Sequence, residues 1–167
     1  MIPQRMAGEL EGEFCVFLIG MRINHPLKVY QWLPVFRAMP RMLQELSQHP
    51  ELGYLGGHFW PGRTLISLQY WRSFNHLTEY ASSKSRAHLP AWGAFTRQIG
   101  NSGDVGIWHE TYVIAPGSYE AIYHNMPPFG LGRVGTLIPA AGSRYRASAR
   151  LTASRGTSPG EEGKGTP

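Results

Sequence analysis

Residues 68–92 read LQYWRSFNHLTEYASSKSRAHLPAW, the end of an apolar strand running into two helical patterns. Ser73 stands where a hydroxyl can cap a helix that carries Phe74, Leu77, Tyr80 and Ala81 on one face. After the polar SSKSR, a second helix is expected over about residues 88–99. Starting there, His88, Trp92, Phe95 and Ile99 fall at offsets of zero, four, seven and eleven and form one continuous stripe. His88 thus points where the apolar side chains point, and a helix N-terminus favours the neutral imidazole that a metal ligand or a general base requires. The competing reading of His88 is an imidazole hydrogen-bonded to a backbone carbonyl at the edge of the core.

Working outward, Phe14–Ile23 has apolar residues on both parities, the pattern of a strand covered on both faces. Trp32, Val35, Phe36, Met39, Leu43 and Leu46 recur at three- and four-residue intervals and predict an amphipathic helix over roughly 32–48. Pro40 should kink that helix or divide it, because proline lacks an amide donor and crowds the preceding turn. LGYLGGHFW and RTLISLQYW flank Pro61 and Gly62 as a hairpin, and GDVGIWHETYVI is the last strong strand, apolar on both parities. YEAIYHNMPPFGLG follows as a short extended piece ending in a Pro/Gly loop. The order β-α-β-β-α-(α)-β predicts an α+β, ferredoxin-like sheet with its helices on one face. An apolar second face then needs a cover, and a second copy packed across a twofold axis supplies one. A homodimer enclosing a central dimeric α/β barrel is therefore expected.

The chain has 167 residues and a formal net charge of +5. Most of that charge lies beyond residue 132, which leaves the remainder nearly neutral, and no groove-reading helix or base-stacking motif accompanies it. Nucleic acid is not an expected partner. The apolar N-terminal run 14–21 follows three glutamates, so neither a secretory signal nor a membrane span is expected, and the default location is cytoplasmic. The single cysteine, Cys15, reads as a small buried hydrophobe. From Gly142 the composition is Gly, Ser, Arg, Pro and Thr with little to bury, so disorder is expected there. The domain limits read as an arm over 1–13, the barrel domain over 14–132 and a flexible basic tail over 133–167.

On the last strand His109 alternates with Ile107 and Thr111, opposite to Trp108, Glu110 and Tyr112. Whichever face lines the barrel, either His109 or Glu110 offers a proton-transfer group, and cross-strand hydrogen bonding is the competing role. His76 is expected to be solvated, His25 and His49 to be local, and His58 and His124 to rim a pocket. Trp32, Trp60, Trp71, Trp92 and Trp108, with Tyr70 and Tyr112, are distributed over the elements that enclose the barrel and suit a planar apolar ligand. Arg22 and Arg72 at strand ends are placed either to meet a carboxylate on a ligand or to pair with nearby glutamates at the surface. No pair of residues at metal-ligand spacing, no nucleotide-binding glycine fingerprint and no nucleophile-elbow serine is present, which argues against flavin, nicotinamide and ATP.

GMRIN, WLPVFRAMPRMLQEL, QYWRSFNHLTEYA, HLPAW, GDVGIWHETY and YEAIYHNMPPFGL together resemble a monooxygenase-like family catalogued as a domain of unknown function, within the dimeric α/β-barrel superfamily of the antibiotic-biosynthesis monooxygenases. The resemblance covers about residues 14–132 and implies an oxidoreductase acting on a small apolar or aromatic metabolite. Relatives in the superfamily oxygenate aromatic substrates without a cofactor, bind and degrade haem, or act as haem-dependent aldoxime dehydratases. It therefore implies haem as a cofactor to be tested, with His88 at the position of the iron ligand, Trp71 and Trp92 as walls, and Arg22 and Arg72 toward the propionates. A haem lyase of the aldoxime-dehydratase type and a barrel that binds a small ligand without turnover are the alternatives it leaves open.

Overall fold

The computed structural model describes residues 1–86 and 88–154. In chain order the elements are β1 (Met6–Glu9), β2 (Phe14–Ile23), α1 (Val29–Gln48), β3 (Tyr54–Trp60), β4 (Thr64–Trp71), α2 (Phe74–Ser82), α3 (His88–Gln98), β5 (Val105–Ile114), β6 (Ile122–Tyr123), α4 (Leu131–Val134), β7 (Thr136–Pro139) and α5 (Ala147–Ala153). They divide into two compact units, Phe14–Val113 and the combined segments Met1–Glu13 and Ile114–Pro167. No helix among the described residues is long and apolar enough to cross a membrane.

The larger unit has the expected ferredoxin-like α+β order, with an antiparallel sheet of strand order β3-β4-β2-β5 and its helices on one face. The register pairs Cys15 with Trp71, Ile19 with Ser67 and Met21 with Leu65, so the odd-numbered residues of β2 and β4 share the helix side. There they build two core clusters. Cys15, Leu46, Trp71, Leu77 and Tyr80 form the first; Met21, Leu65, Ile99 and Val105 form the second, with Trp32, Val35, Phe36 and Phe95 packed against it. The other face carries Val16, Leu18, Ile66 and Leu68, all half-buried, and is free of helices from its own unit among the described residues.

Local chemistry fixes the elements as read, with two corrections. The Ser73 hydroxyl accepts from the His76 amide (3.3 Å) and caps α2. His76 is not simply solvated: its Nδ1 lies 2.7 Å from Ser73 Oγ, and its ring fills the space beside Gly53, where an added Cβ would come within 2.5 Å of it. Gly53 also sits at φ +82°, which only glycine adopts without strain. The first correction concerns α1, which starts at Val29 and runs without a break through both Pro34 and Pro40. Its Trp32–Phe36 end is held on one core cluster and Leu46 on the other, so packing along the sheet outweighs the missing amide donors.

The second correction concerns the smaller unit. Residues 142–154, expected to lack order, form a 3-10 turn (Gly142–Arg144) and the helix α5. Here β1 is the middle strand of a sheet of order β6-β1-β7. Arg150 in α5 is 4% exposed; its Nε donates to Glu120 (2.8 Å) and its Nη1 to the carbonyls of Arg144 and Tyr145 (3.1 and 2.7 Å). Arg144 Nε donates to Glu9 at 2.8 Å. A basic, apolar-poor segment is thus ordered by charge-assisted bonds rather than by burial of apolar surface. Residues 155–167 of the expected tail lie outside the described residues.

At the entrance to β5, Asp104 is 4% exposed and its Oδ1 lies 2.8 Å from both Lys28 Nζ and His25 Nδ1. His25 therefore bridges to a distant loop instead of acting locally. The bond from Lys28 holds the Asp104 carboxyl below its usual range, against the opposing effect of desolvation. A carboxylate with a depressed native pKa contributes stability above the ordinary carboxylate pKa, and that contribution is lost as pH falls through the native value. Asp104→Asn should accordingly lower the melting temperature at neutral pH, and the gap to wild type should close on acidification below about pH 4. A gap that stays constant down to pH 2 in thermal melts would contradict this assignment.

Candidate functional site

On the helix side of the four-stranded sheet, within the larger unit, lies a cavity of ≈ 850 Å³. β2 contributes Phe17, Ile19 and Met21 to it, β4 contributes Leu65 and Ser67, and β5 contributes Ile107, His109 and Thr111. Helix α1 adds Val35, Ala38, Met39 and Arg41, α2 adds Leu77 and Ala81, and α3 adds Leu89, Ala94 and Phe95. Small side chains at Ser67, Ala38, Ala81 and Ala94 occupy positions where longer ones would close the space, since interiors otherwise pack without voids of this size. The exposed Phe74 and Trp92, 44% and 50%, also line it and mark its solvent side.

The enclosed chamber expected between two sheets is therefore not where the described cavity lies: it is on the opposite, helix-covered face. Of the five tryptophans, at least three of which are expected to be ordinary core, Trp92 is the one among the described lining residues, stacked on Phe95 with ring centroids 5.5 Å apart. The reason is the pleat. Trp108 and Trp60 belong to the face away from the helices, and Trp71, on the helix side, is consumed by the core at 1% exposure.

The predicted site residues separate in the same way. His109 lines the cavity and its ring lies against Phe17, with centroids 5.6 Å apart. Glu110 points to the other face, where it accepts from the Tyr112 hydroxyl at 2.6 Å and holds that phenol above its usual pKa. Arg22 is exposed and donates to Thr64 Oγ1 (2.8 Å), while Arg72 is exposed just after β4; neither lines the cavity. His88 opens α3 as expected, but its side chain lies outside the described residues. His58 packs beside Trp60 on β3, and His49 pairs locally with Glu51 at 2.9 Å. His124 is exposed after β6, in the smaller unit.

Sequence reasoning passed over two polar features. Arg41 is exposed and lines the cavity. Pro34, Ala38 and Arg41, at offsets of zero, four and seven, form a second stripe on α1 that was readable beside the apolar one. The other feature is a buried polar row on β4: Trp71 Nε1 donates to Gln69 Oε1 (3.0 Å), and Gln69 Nε2 donates to Ser67 Oγ (3.3 Å). Its sequence signal is two polar residues on the parity that carries Leu65 and Trp71. Among the described residues, no group of three His, Cys, Asp or Glu side chains stands where it could hold a bare metal ion.

Residues 14–131 match the family described as Monooxygenase af470-like. A curated relative, Monooxygenase af470 from Aspergillus fumigatus, is 28% identical over 134 residues, covering 74% of this chain and 46% of the relative. Among solved structures, an aldoxime dehydratase superposes with a TM-score of 0.61 at 18% identity, over 82% of this chain and 42% of that one. A conserved protein from Bacteroides thetaiotaomicron aligns over 62% of this chain and 99% of its own, with a TM-score of 0.42 and 9% identity, too distant to inform the site. The chain spans about half the length of the curated relative it matches. The aldoxime dehydratase shares the fold. With a family match that extends over the whole larger unit, this chain belongs to the Monooxygenase af470-like family.

Proposed function

We propose that this chain is an oxidoreductase that takes a planar apolar or aromatic metabolite into the helix-side cavity, where an imidazole removes a proton from it so that the resulting anion reacts with oxygen. The observation that carries the reading is an ≈ 850 Å³ apolar cavity with His109 in its lining. Among the side chains of that lining, His109 carries the imidazole able to accept a proton from a weak carbon or phenol acid. Oxidation of an activated methylene balances without an external reductant: CH2 plus O2 gives C=O plus H2O, with the electrons supplied by the substrate carbon.

Haem fits the same space. The volume suffices, His109 offers an imidazole, and Arg41 offers a guanidinium to a propionate. Bound haem would supply an iron centre for oxygen activation, or for the lyase chemistry of the aldoxime-dehydratase reading, which the shared fold supports. Addition of hemin to the purified protein tests this directly. A sharp Soret band that is lost in His109→Ala or in His88→Ala supports haem and names the ligand. Without a band, oxygen uptake on a panel of phenols and activated methylenes supports the cofactor-free route. Neither a band nor uptake leaves the ligand-binding barrel as the reading in force.

We further propose that the free face of the sheet is covered by a second copy of the chain, as its half-buried Val16, Leu18, Ile66 and Leu68 and its 47% exposed Tyr112 suggest. Light scattering at micromolar concentration should return about twice the 18.7 kDa chain mass. A single-chain mass would refute the dimer.

A further inference from the structure

The buried row on β4 assigns a direction to one hydrogen atom. An indole N–H can only donate, so Trp71 fixes the carbonyl end of the Gln69 amide toward itself, at 3.0 Å. The amide nitrogen is thereby turned the other way, where its two N–H groups meet Ser67 Oγ (3.3 Å) and Met39 Sδ (3.9 Å). An amide nitrogen cannot accept, so Ser67 Oγ must. The Ser67 hydroxyl hydrogen is left without an acceptor among the described residues, on a side chain 2% exposed that lines the cavity. Leaving a buried donor unpaired is costly, whereas a ligand acceptor placed there recovers the bond.

The position of that donor relative to His109 follows from the sheet. Ser67 pairs with Ile19. Contacts of Gly20 with Trp108 and of Gly106 with Arg22 run β5 alongside β2 so that His109 stands level with Ile19. Ser67, Ile19 and His109 thus form one lateral row on the cavity floor, with the outer two about 10 Å apart at their backbones, two strand spacings.

We propose that Ser67 is a substrate-binding residue whose hydroxyl, aimed by the Trp71–Gln69 relay, donates to an acceptor oxygen on an otherwise apolar planar substrate, holding it across Ile19 with its other end toward His109. This rests on the reading of the cavity as the substrate site, and it narrows the ligand class to flat apolar molecules carrying a carbonyl or comparable oxygen.

Two probes of nearly the same shape separate the two levels of the argument: 9-fluorenone, which has the oxygen, and fluorene, which lacks it. Binding is followed by tryptophan fluorescence, with Trp92 on the cavity wall, and by calorimetry. The wild type should bind fluorenone about tenfold more tightly than fluorene. Ser67→Ala should bind fluorene as before and lose the preference, and Ser67→Thr should keep it. Gln69→Met should weaken the preference although Ser67 is intact. Equal affinities in the wild type, or a preference that survives Ser67→Ala, overturn the role of Ser67 and leave the cavity reading standing. Failure of both probes to bind a folded wild type, checked by circular dichroism, overturns the cavity as an aromatic site and this proposal with it.

Discussion

His109→Ala should lower turnover of an oxygen-consuming substrate by 10² to 10⁴-fold, the usual effect of deleting a positioned proton acceptor. His109 is the imidazole that the described cavity lining contains, and its contact with Phe17 fixes the ring over the sheet. Removing it should leave the fold unchanged, because the side chain is exposed and belongs to neither core cluster. The effect should therefore fall on the rate and not on probe affinity. His109→Gln, which retains polarity without a base, should be as impaired as alanine. Oxygen-electrode rates within about threefold of wild type would remove His109 from the mechanism and shift attention to His88.

The largest stability effect is expected at Arg150. Its guanidinium is buried and holds Glu120 together with the carbonyls of Arg144 and Tyr145. Methionine there would preserve most of the apolar stem but leave two carbonyls and a carboxylate without their donor. Breaking a buried pair typically costs 3–5 kcal/mol, and because Glu120 is 33% exposed the lower end applies, about 3 kcal/mol for the smaller unit. Lysine should recover only part of this, since it cannot reproduce the forked geometry. Amide exchange across residues 147–153 reports the loss directly. Unchanged protection in Arg150→Met would show that α5 is held by something other than this fork.

Where the sequence could be read, periodicity did the work. The two-parity strands β2 and β5, the capped α2 and the stripe Trp92–Phe95–Ile99 are local patterns, and each appears where its spacing placed it. The order of these elements was enough to settle a ferredoxin-like sheet with helices on one face. Two errors came from applying local rules alone. Proline rules offered a kink or a division of α1 at Pro40; the division does not occur, because cluster contacts at its two ends keep it one helix. Composition predicted disorder from Gly142, but composition does not register that Arg144 and Arg150 find Glu9 and Glu120, 135 and 30 residues away.

The site was legible only by halves. Alternation placed His109 and Glu110 on opposite faces of β5, and the positions of the helices then decided which of the two meets the cavity. Arg22 and Arg72 stand at strand ends outside the cavity lining, whereas among the described residues α1 brings Arg41 to it. By itself the chain determined the elements of the larger unit, their order and the two-sided parity of β2 and β5, because those depend on spacings of two and three to four residues. Only the tertiary structure decided which parity is enclosed, how Trp71 and Gln69 turn the Ser67 hydroxyl, and that a polar tail closes on distant carboxylates. Each of these depends on side chains far apart in sequence meeting at hydrogen-bonding distance, which no local pattern encodes.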